Sequence, residues 1–164
     1  MNNIMELTFR TDIRKDDPEK VREIVTSTGF FYDFEIEVAV EIVVEALEKG
    51  VVESGYYFIF ADAGDKTVGF ACTGPIACTV GSYDLFWIAV HGEFRGSGIG
   101  KKLLSKTHQF VKEMNGRILV AETSGTEKYV PTREFYLHNG YTLEAQIKDF
   151  YLPGDDKMMY IYRL

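Results

Sequence analysis

The chain has 164 residues, with 18 Lys and Arg against 25 Asp and Glu and a formal net charge of −7. That acid excess argues against nucleic acid as the main partner and against a polybasic membrane anchor, both of which rest on clustered Lys and Arg. With 46% apolar and 14% aromatic residues the chain can bury its own core, so one domain over residues 1–164 is expected rather than a disordered segment.

The opening MNNIMELTFRTD lacks the basic, apolar and small-residue blocks of a leader. No apolar run nears the roughly 20 residues that cross a bilayer. Ile4 to Arg10 alternates as a short strand. Asp16-Asp17-Pro18-Glu19 reads as a helix start, with acids at the positive dipole end and Pro in the first turn. Val21, Ile24 and Val25 give that helix an apolar stripe, which Gly29 ends. Asp33 caps a second helix with Ile36, Val40, Val43, Val44 and Leu47 on its apolar side and Gly50 as the stop.

The period then changes. Tyr56 to Ala61 and Thr67 to Cys72 flank the turn Asp62-Ala63-Gly64-Asp65 and predict a hairpin, broken by Gly74-Pro75. Tyr83 to Val90 is nearly continuous in apolar residues, the pattern of a central strand covered on both faces. A glycine-rich loop follows. The next helix carries Leu103, Leu104, Thr107, Phe110, Val111 and Met114 on one side, up to Gly116. Arg117 to Ala121 is a strand, Thr132 to Asn139 a short helix closed by Gly140. Tyr141 to Ile147 and Met158 to Tyr162 form a last strand pair about the turn Pro153-Gly154-Asp155. Seven strands and four helices in this order predict an α+β sheet rather than a doubly wound one. Cys72 and Cys78, with no His nearby, make no zinc site and read as reduced, buried small hydrophobes in a cytoplasmic protein.

The informative segment is Arg95-Gly96-Ser97-Gly98-Ile99-Gly100-Lys101-Lys102, between a strand and a helix. Such a junction offers unpaired amides and a positive helix end, which suits a phosphate or diphosphate. A Walker loop would need Gly where Arg95 stands and Ser or Thr where Lys102 stands. A dinucleotide fingerprint needs a different glycine spacing, early in the chain. A kinase glycine loop lies between two strands.

The pattern R-x-x-G-x-G on Arg95, Gly98 and Gly100 resembles the pyrophosphate motif of the GNAT superfamily, the acyl-CoA-dependent N-acyltransferases. The strand DLFWIAV before it is similar to that family's fourth strand. The stretch Thr132 to Tyr141 is similar to its second signature, a short helix ending in aromatic-Tyr and then Gly-aromatic. The resemblance spans nearly the whole chain. It implies the GNAT fold: a mixed, mostly antiparallel sheet of about seven strands flanked by about four helices and splayed between strands 4 and 5.

It also implies the chemistry, attack of a primary amine on the thioester of acetyl-CoA without a metal. Arg95, Gly96, Ser97, Gly98, Ile99, Gly100 and Lys101 are then expected to hold the diphosphate, and the main chain of Ile88 and Val90 to hold the pantetheine arm and the oxyanion. Tyr136 matches the family's general acid for the departing thiolate. Asp84 and Glu122 are both candidates for the base, with no decision between them. His91 and His138 read as surface residues. Where many members carry an Asn ahead of the signature tyrosine, this chain has Tyr129.

Phe30, Phe31 and Tyr32 between the first helices, and Phe150 and Tyr151 near the end, pair aromatics with acids and suit the walls of a small cationic amine site. Asp155-Asp156 lacks a ligand set for a metal. The expected acceptor is a small, amino-acid-like amine, with no nucleic acid or membrane partner and homodimerisation open. Two alternatives stand beside it: a protein Lys or N-terminal acetyltransferase, and a coenzyme-binding regulatory module without turnover.

Overall fold

The computed structural model describes residues 6–164. In chain order the elements are β1 (Leu7–Arg10), α1 (Asp17–Ser27), α2 (Asp33–Lys49), α3 (Val51–Ser54), β2 (Tyr57–Ala63), β3 (Lys66–Pro75), β4 (Ser82–Val90), α4 (Ile99–Glu113), β5 (Ile118–Ser124), α5 (Val130–His138), β6 (Thr142–Leu152) and β7 (Asp155–Arg163). The strand order is β1-β2-β3-β4-β5-β7-β6. This is the expected mixed α+β sheet of the GNAT fold. The β4–β5 ladder is parallel and joins Ser82, Tyr83 and Asp84 to Ile118, Leu119 and Val120, the position of the expected splay. The β1–β2, β2–β3, β5–β7 and β6–β7 ladders are antiparallel.

The chain divides into two compact units. The first holds the described residues to Gly74 together with Phe86–Thr107; the second holds Pro75–Leu85 and His108–Leu164.

In the first unit, Val21, Ile24 and Val25 of α1 meet Ala39, Ile42, Val43 and Ala46 of α2 over Phe58, Phe60, Phe70 and Cys72. The stripe of α2 is therefore rotated by about a residue from the one the sequence suggested. Small alanines take the buried row, and Leu47 is left partly exposed. Arg10 fastens β1 to this unit. Its guanidinium grips the fully buried Asp17 at 2.7 and 2.8 Å, reaches Asp62 at 2.8 Å and lies 4.2 Å over the Phe60 ring. A buried charge is tolerable only when paired and hydrogen-bonded in this way.

In the second unit, β5 lies between β4 and β7. Leu119 and Ala121 are buried with Tyr83, Val111, Tyr136, Tyr141 and Tyr160. A Cβ on Gly116 would stand 2.3 Å from a Val111 methyl, so the turn out of α4 admits glycine alone.

Several expectations are corrected. Of the strand at Ile4 to Arg10, Ile4 and Met5 lie outside the described residues and Leu7–Arg10 is the strand. A one-turn helix, α3, follows Gly50. Gly74-Pro75 does not break the hairpin, because β3 runs to Pro75. β4 is not covered on both faces, since Phe86 is exposed. β6 and β7 extend further than their apolar residues suggested. His91 is buried rather than at the surface, its main-chain amide on Val68 O at 2.8 Å. Cys78 is exposed, on a residue with φ of +62°, while Cys72 is buried.

Candidate active site

The glycine loop lies in the first unit. A short 3-10 turn (Gly92–Phe94) leads into it. That turn is tied to the end of α1: the Gly92 amide donates to Ser27 Oγ at 2.9 Å, and Arg95 Nη2 donates to Thr28 O at 3.2 Å. The Arg95 side chain thus braces the loop. Ser97 Oγ donates to Phe94 O. Gly96 and Gly98 have φ of +74° and +80°, and nothing lies within 4 Å of a Cβ at either. The bend turns main-chain amides outward ahead of α4. Among the described residues, the amides of Gly96, Gly98, Ile99, Gly100 and Lys101 find no acceptor, and the first internal helix bond runs from Lys102 N to Gly98 O at 3.1 Å. Unpaired donors at a positive helix end are what an anion site is built from.

Ile88 and Val90 also belong to this unit, half-buried on β4. Phe31 packs against Trp87, ring centroids 5.0 Å apart, at the core edge, and Phe30 packs edge-on against Phe31. Tyr32 instead stacks on Phe34, and both rings are exposed. The predicted aromatic wall is therefore split between packing and surface.

The acids lie in the second unit. Asp84 is in register with Val120, and alternation along β5 puts Glu122 on the same face. Ser124 pairs with Lys157 on β7, so Lys157 shares that face. Its Nζ sits 2.7 Å from Glu122 Oε2 and 3.8 Å over the Phe150 ring, with Tyr151 at 6.0 Å. Asp84, half-buried, titrates above the usual carboxylate range: burial is the main cause, the Glu122 charge adds to it, and Lys157 opposes it. The sequence reading missed Lys157. Its signal was weak, a lone cation after Asp155-Asp156 at a period-two position in a strand.

Tyr136 belongs to the opposite face. Its ring packs on Tyr160, which pairs with Ala121, the neighbour of Glu122 that points the other way. Tyr141 lies 5.1 Å from it, centroid to centroid, and its hydroxyl bonds His108 Nε2 at 2.9 Å. His108 stacks on Tyr162 at 3.7 Å, and burial lowers its imidazole to about 4, so it stays neutral. Burial likewise pushes the Tyr136 phenol up. Its hydroxyl bonds no described residue, yet among those residues no fully buried side-chain polar atom lacks a partner. The ring is buried. His138 is exposed, and no group of three or more His, Cys, Asp or Glu among the described residues is arranged to hold a metal.

Comparison with known proteins gives one family. Residues 54–143 match the family described as "Acetyltransferase (GNAT) domain". A crystal structure of an acetyltransferase assigned to the GNAT family from Desulfovibrio desulfuricans superposes with a TM-score of 0.94 at 45% identity, covering 96% of this chain and 99% of that one. The ribosomal-protein-S18-alanine N-acetyltransferase of Escherichia coli follows the same fold with a TM-score of 0.73 at 16% identity, over 96% of this chain and 94% of that one. The PaiA N-acetyltransferase of Thermoplasma acidophilum, solved with coenzyme A, does so with a TM-score of 0.70 at 19% identity, over 98% of this chain and all of that one. No curated protein sequence matches the chain.

Proposed function

The chain belongs to the GNAT acetyltransferases, and we propose that it moves the acetyl group of acetyl-CoA to the primary amine of a small, amino-acid-like metabolite by direct attack. The observation that carries the cofactor assignment is the set of five main-chain amides from Gly96 to Lys101 that find no acceptor among the described residues. Gly96, Gly98, Ile99, Gly100 and Lys101 would hold the diphosphate with those amides, and Ser97 and Arg95 would brace the loop. Ile88 and Val90 would offer main-chain groups to the pantetheine arm. The coenzyme supplies an activated acyl group as a thioester. The presence of coenzyme A in the Thermoplasma complex is in keeping with this reading.

The second unit supplies the proton chemistry. An ammonium acceptor must lose a proton before it can attack. Asp84 is the group to take it, because burial and Glu122 raise its basicity while Lys157 already occupies Glu122. Tyr136, kept neutral by burial, offers its hydroxyl proton to the departing sulfur. Phe150 and Tyr151, beside Lys157 in the second unit, are the acceptor surface we retain. Two free thiols suit a reducing cytoplasm.

The test is thiol release from acetyl-CoA over a panel of amines, amino acids and peptides, beside the melting temperature with and without the coenzyme. A melting shift with thiol release on small amines supports the assignment. A peptide as the best acceptor moves it to a protein acetyltransferase, and a shift with no release against any acceptor moves it to a regulatory module.

A further inference from the structure

We infer that His108, acting through Tyr141, is the positioning residue that holds the Tyr136 hydroxyl in place for proton donation. The inference rests on the reading of Tyr136 as the proton donor and deepens it, by naming what fixes that donor. His108, Tyr136, Tyr141, Tyr160 and Tyr162 all belong to the second unit.

Tyr141 is fastened at both ends. At its base, Gly140 takes φ of +87° and turns the chain out of α5, so that the Tyr141 amide donates to Tyr136 O at 3.1 Å. At its tip, the hydroxyl lies 2.9 Å from His108 Nε2 on α4. His108 is in turn held flat on Tyr162 of β7, with centroids 3.7 Å apart and planes 8° from parallel. The Tyr141 ring is buried, and it cannot swing about its side-chain torsions without breaking the hydroxyl bond. Tyr136 packs against this fixed ring at 5.1 Å and against Tyr160 at 6.0 Å. No described residue bonds the Tyr136 hydroxyl, so its place is set by the backbone of α5 and by the rings around it. A proton donor works within about 2.6–3.2 Å of the atom it serves, and a displacement of ~1 Å can cost ~100-fold in rate. Burial lowers the His108 imidazole to about 4, so its bond to Tyr141 brings no charge beside the donor.

The test is kcat for thiol release from acetyl-CoA, with the primary amine that reacts fastest in the panel above at saturation. His108→Phe keeps a flat ring for Tyr162 and loses the bond. Tyr141→Phe loses the same bond from the other side. His108→Gln keeps a side-chain amide able to make it. Each is measured with Tyr136 intact and again with Tyr136→Phe. With Tyr136 intact, His108→Phe and Tyr141→Phe should each lower kcat ~10-fold, a fraction of the ~10²–10⁴ that a general acid contributes. The KM for the coenzyme and the melting shift it produces should not change, and His108→Gln should keep most of the rate. With Tyr136→Phe the same substitutions should lower kcat no further, since there is no longer a proton to place. A packing role alone would cost the same in both backgrounds. Equal losses in the two backgrounds, full kcat in His108→Phe and Tyr141→Phe, or a His108→Gln as slow as His108→Phe overturns the inference and leaves Tyr136 as the donor. Full kcat in Tyr136→Phe alone, or no thiol release with any amine, removes the donor reading and this inference with it. If His108→Phe does not fold, the comparison is made on Tyr141→Phe, to which the same outcomes apply.

Discussion

Gly98→Asp tests whether the loop grips the coenzyme. Gly98 has φ of +80°, and nothing lies within 4 Å of a Cβ there, so strain and charge can be separated. Any L-residue at that φ costs about 1–2 kcal/mol in the free protein. Gly98→Ala reports that cost alone. A carboxylate adds like charge against a diphosphate, worth several kcal/mol. With acetyl-CoA at ~100 times its Kd, the unaltered protein gains about 2.7 kcal/mol. At roughly 2–4 °C per kcal/mol for a chain of this length, that is a rise of about 5–10 °C. A loss of ~2.8 kcal/mol weakens binding about 100-fold and brings the coenzyme to its Kd. The gain then falls to ~0.4 kcal/mol and the shift to about 1 °C. The assay is a melting curve with and without acetyl-CoA for the three proteins. Gly98→Ala should start lower and keep most of its shift; Gly98→Asp should start lower and lose it. A full shift in Gly98→Asp would refute the loop as the diphosphate site.

Turnover should rise with pH through an apparent pKa above the ordinary aspartate range, because only ionised Asp84 takes a proton. The sign for stability is opposite. A raised folded pKa means stability fully present below the unfolded pKa and lost as pH rises through the folded one. Asp84→Asn should therefore lower kcat about 100-fold at neutral pH while holding or raising the melting temperature; a drop in both would make Asp84 structural. Tyr136→Phe should lower kcat with an unchanged coenzyme shift and an unchanged baseline, since its hydroxyl bonds no described residue. An unaltered rate at saturating acceptor would remove it as the proton donor. Arg10→Met strips the partner from the fully buried Asp17 and from Asp62, and should cost about 3–5 kcal/mol in denaturant unfolding. A loss under ~1 kcal/mol would show the network to be a solvated surface cluster.

Short-range features were legible in the sequence. The glycine loop, the stops at Gly29 and Gly50, and the hairpin turn near Gly64 all depend on backbone freedom within a few residues. The succession of elements along the chain followed from such features, and the family resemblance from the glycine loop, the strand before it and the aromatic helix after it. The longer β6 and β7 were not legible, because their ends carry charged and aromatic residues that pair only when the opposite strand is present. The buried side of α2 was missed by a residue because alanines, weak in any hydrophobic pattern, are what α1 allows to come close.

By itself, then, the sequence determined where the glycine bend ahead of α4 lies and which aromatic helix follows it, since each is written in consecutive residues. Only the tertiary structure decided what surrounds Asp84. Asp84, Glu122 and Lys157 come together through the β4–β5 and β5–β7 registers, across long separations in the chain. A shift of one residue in either would turn them to opposite faces, because strand side chains alternate with a period of two.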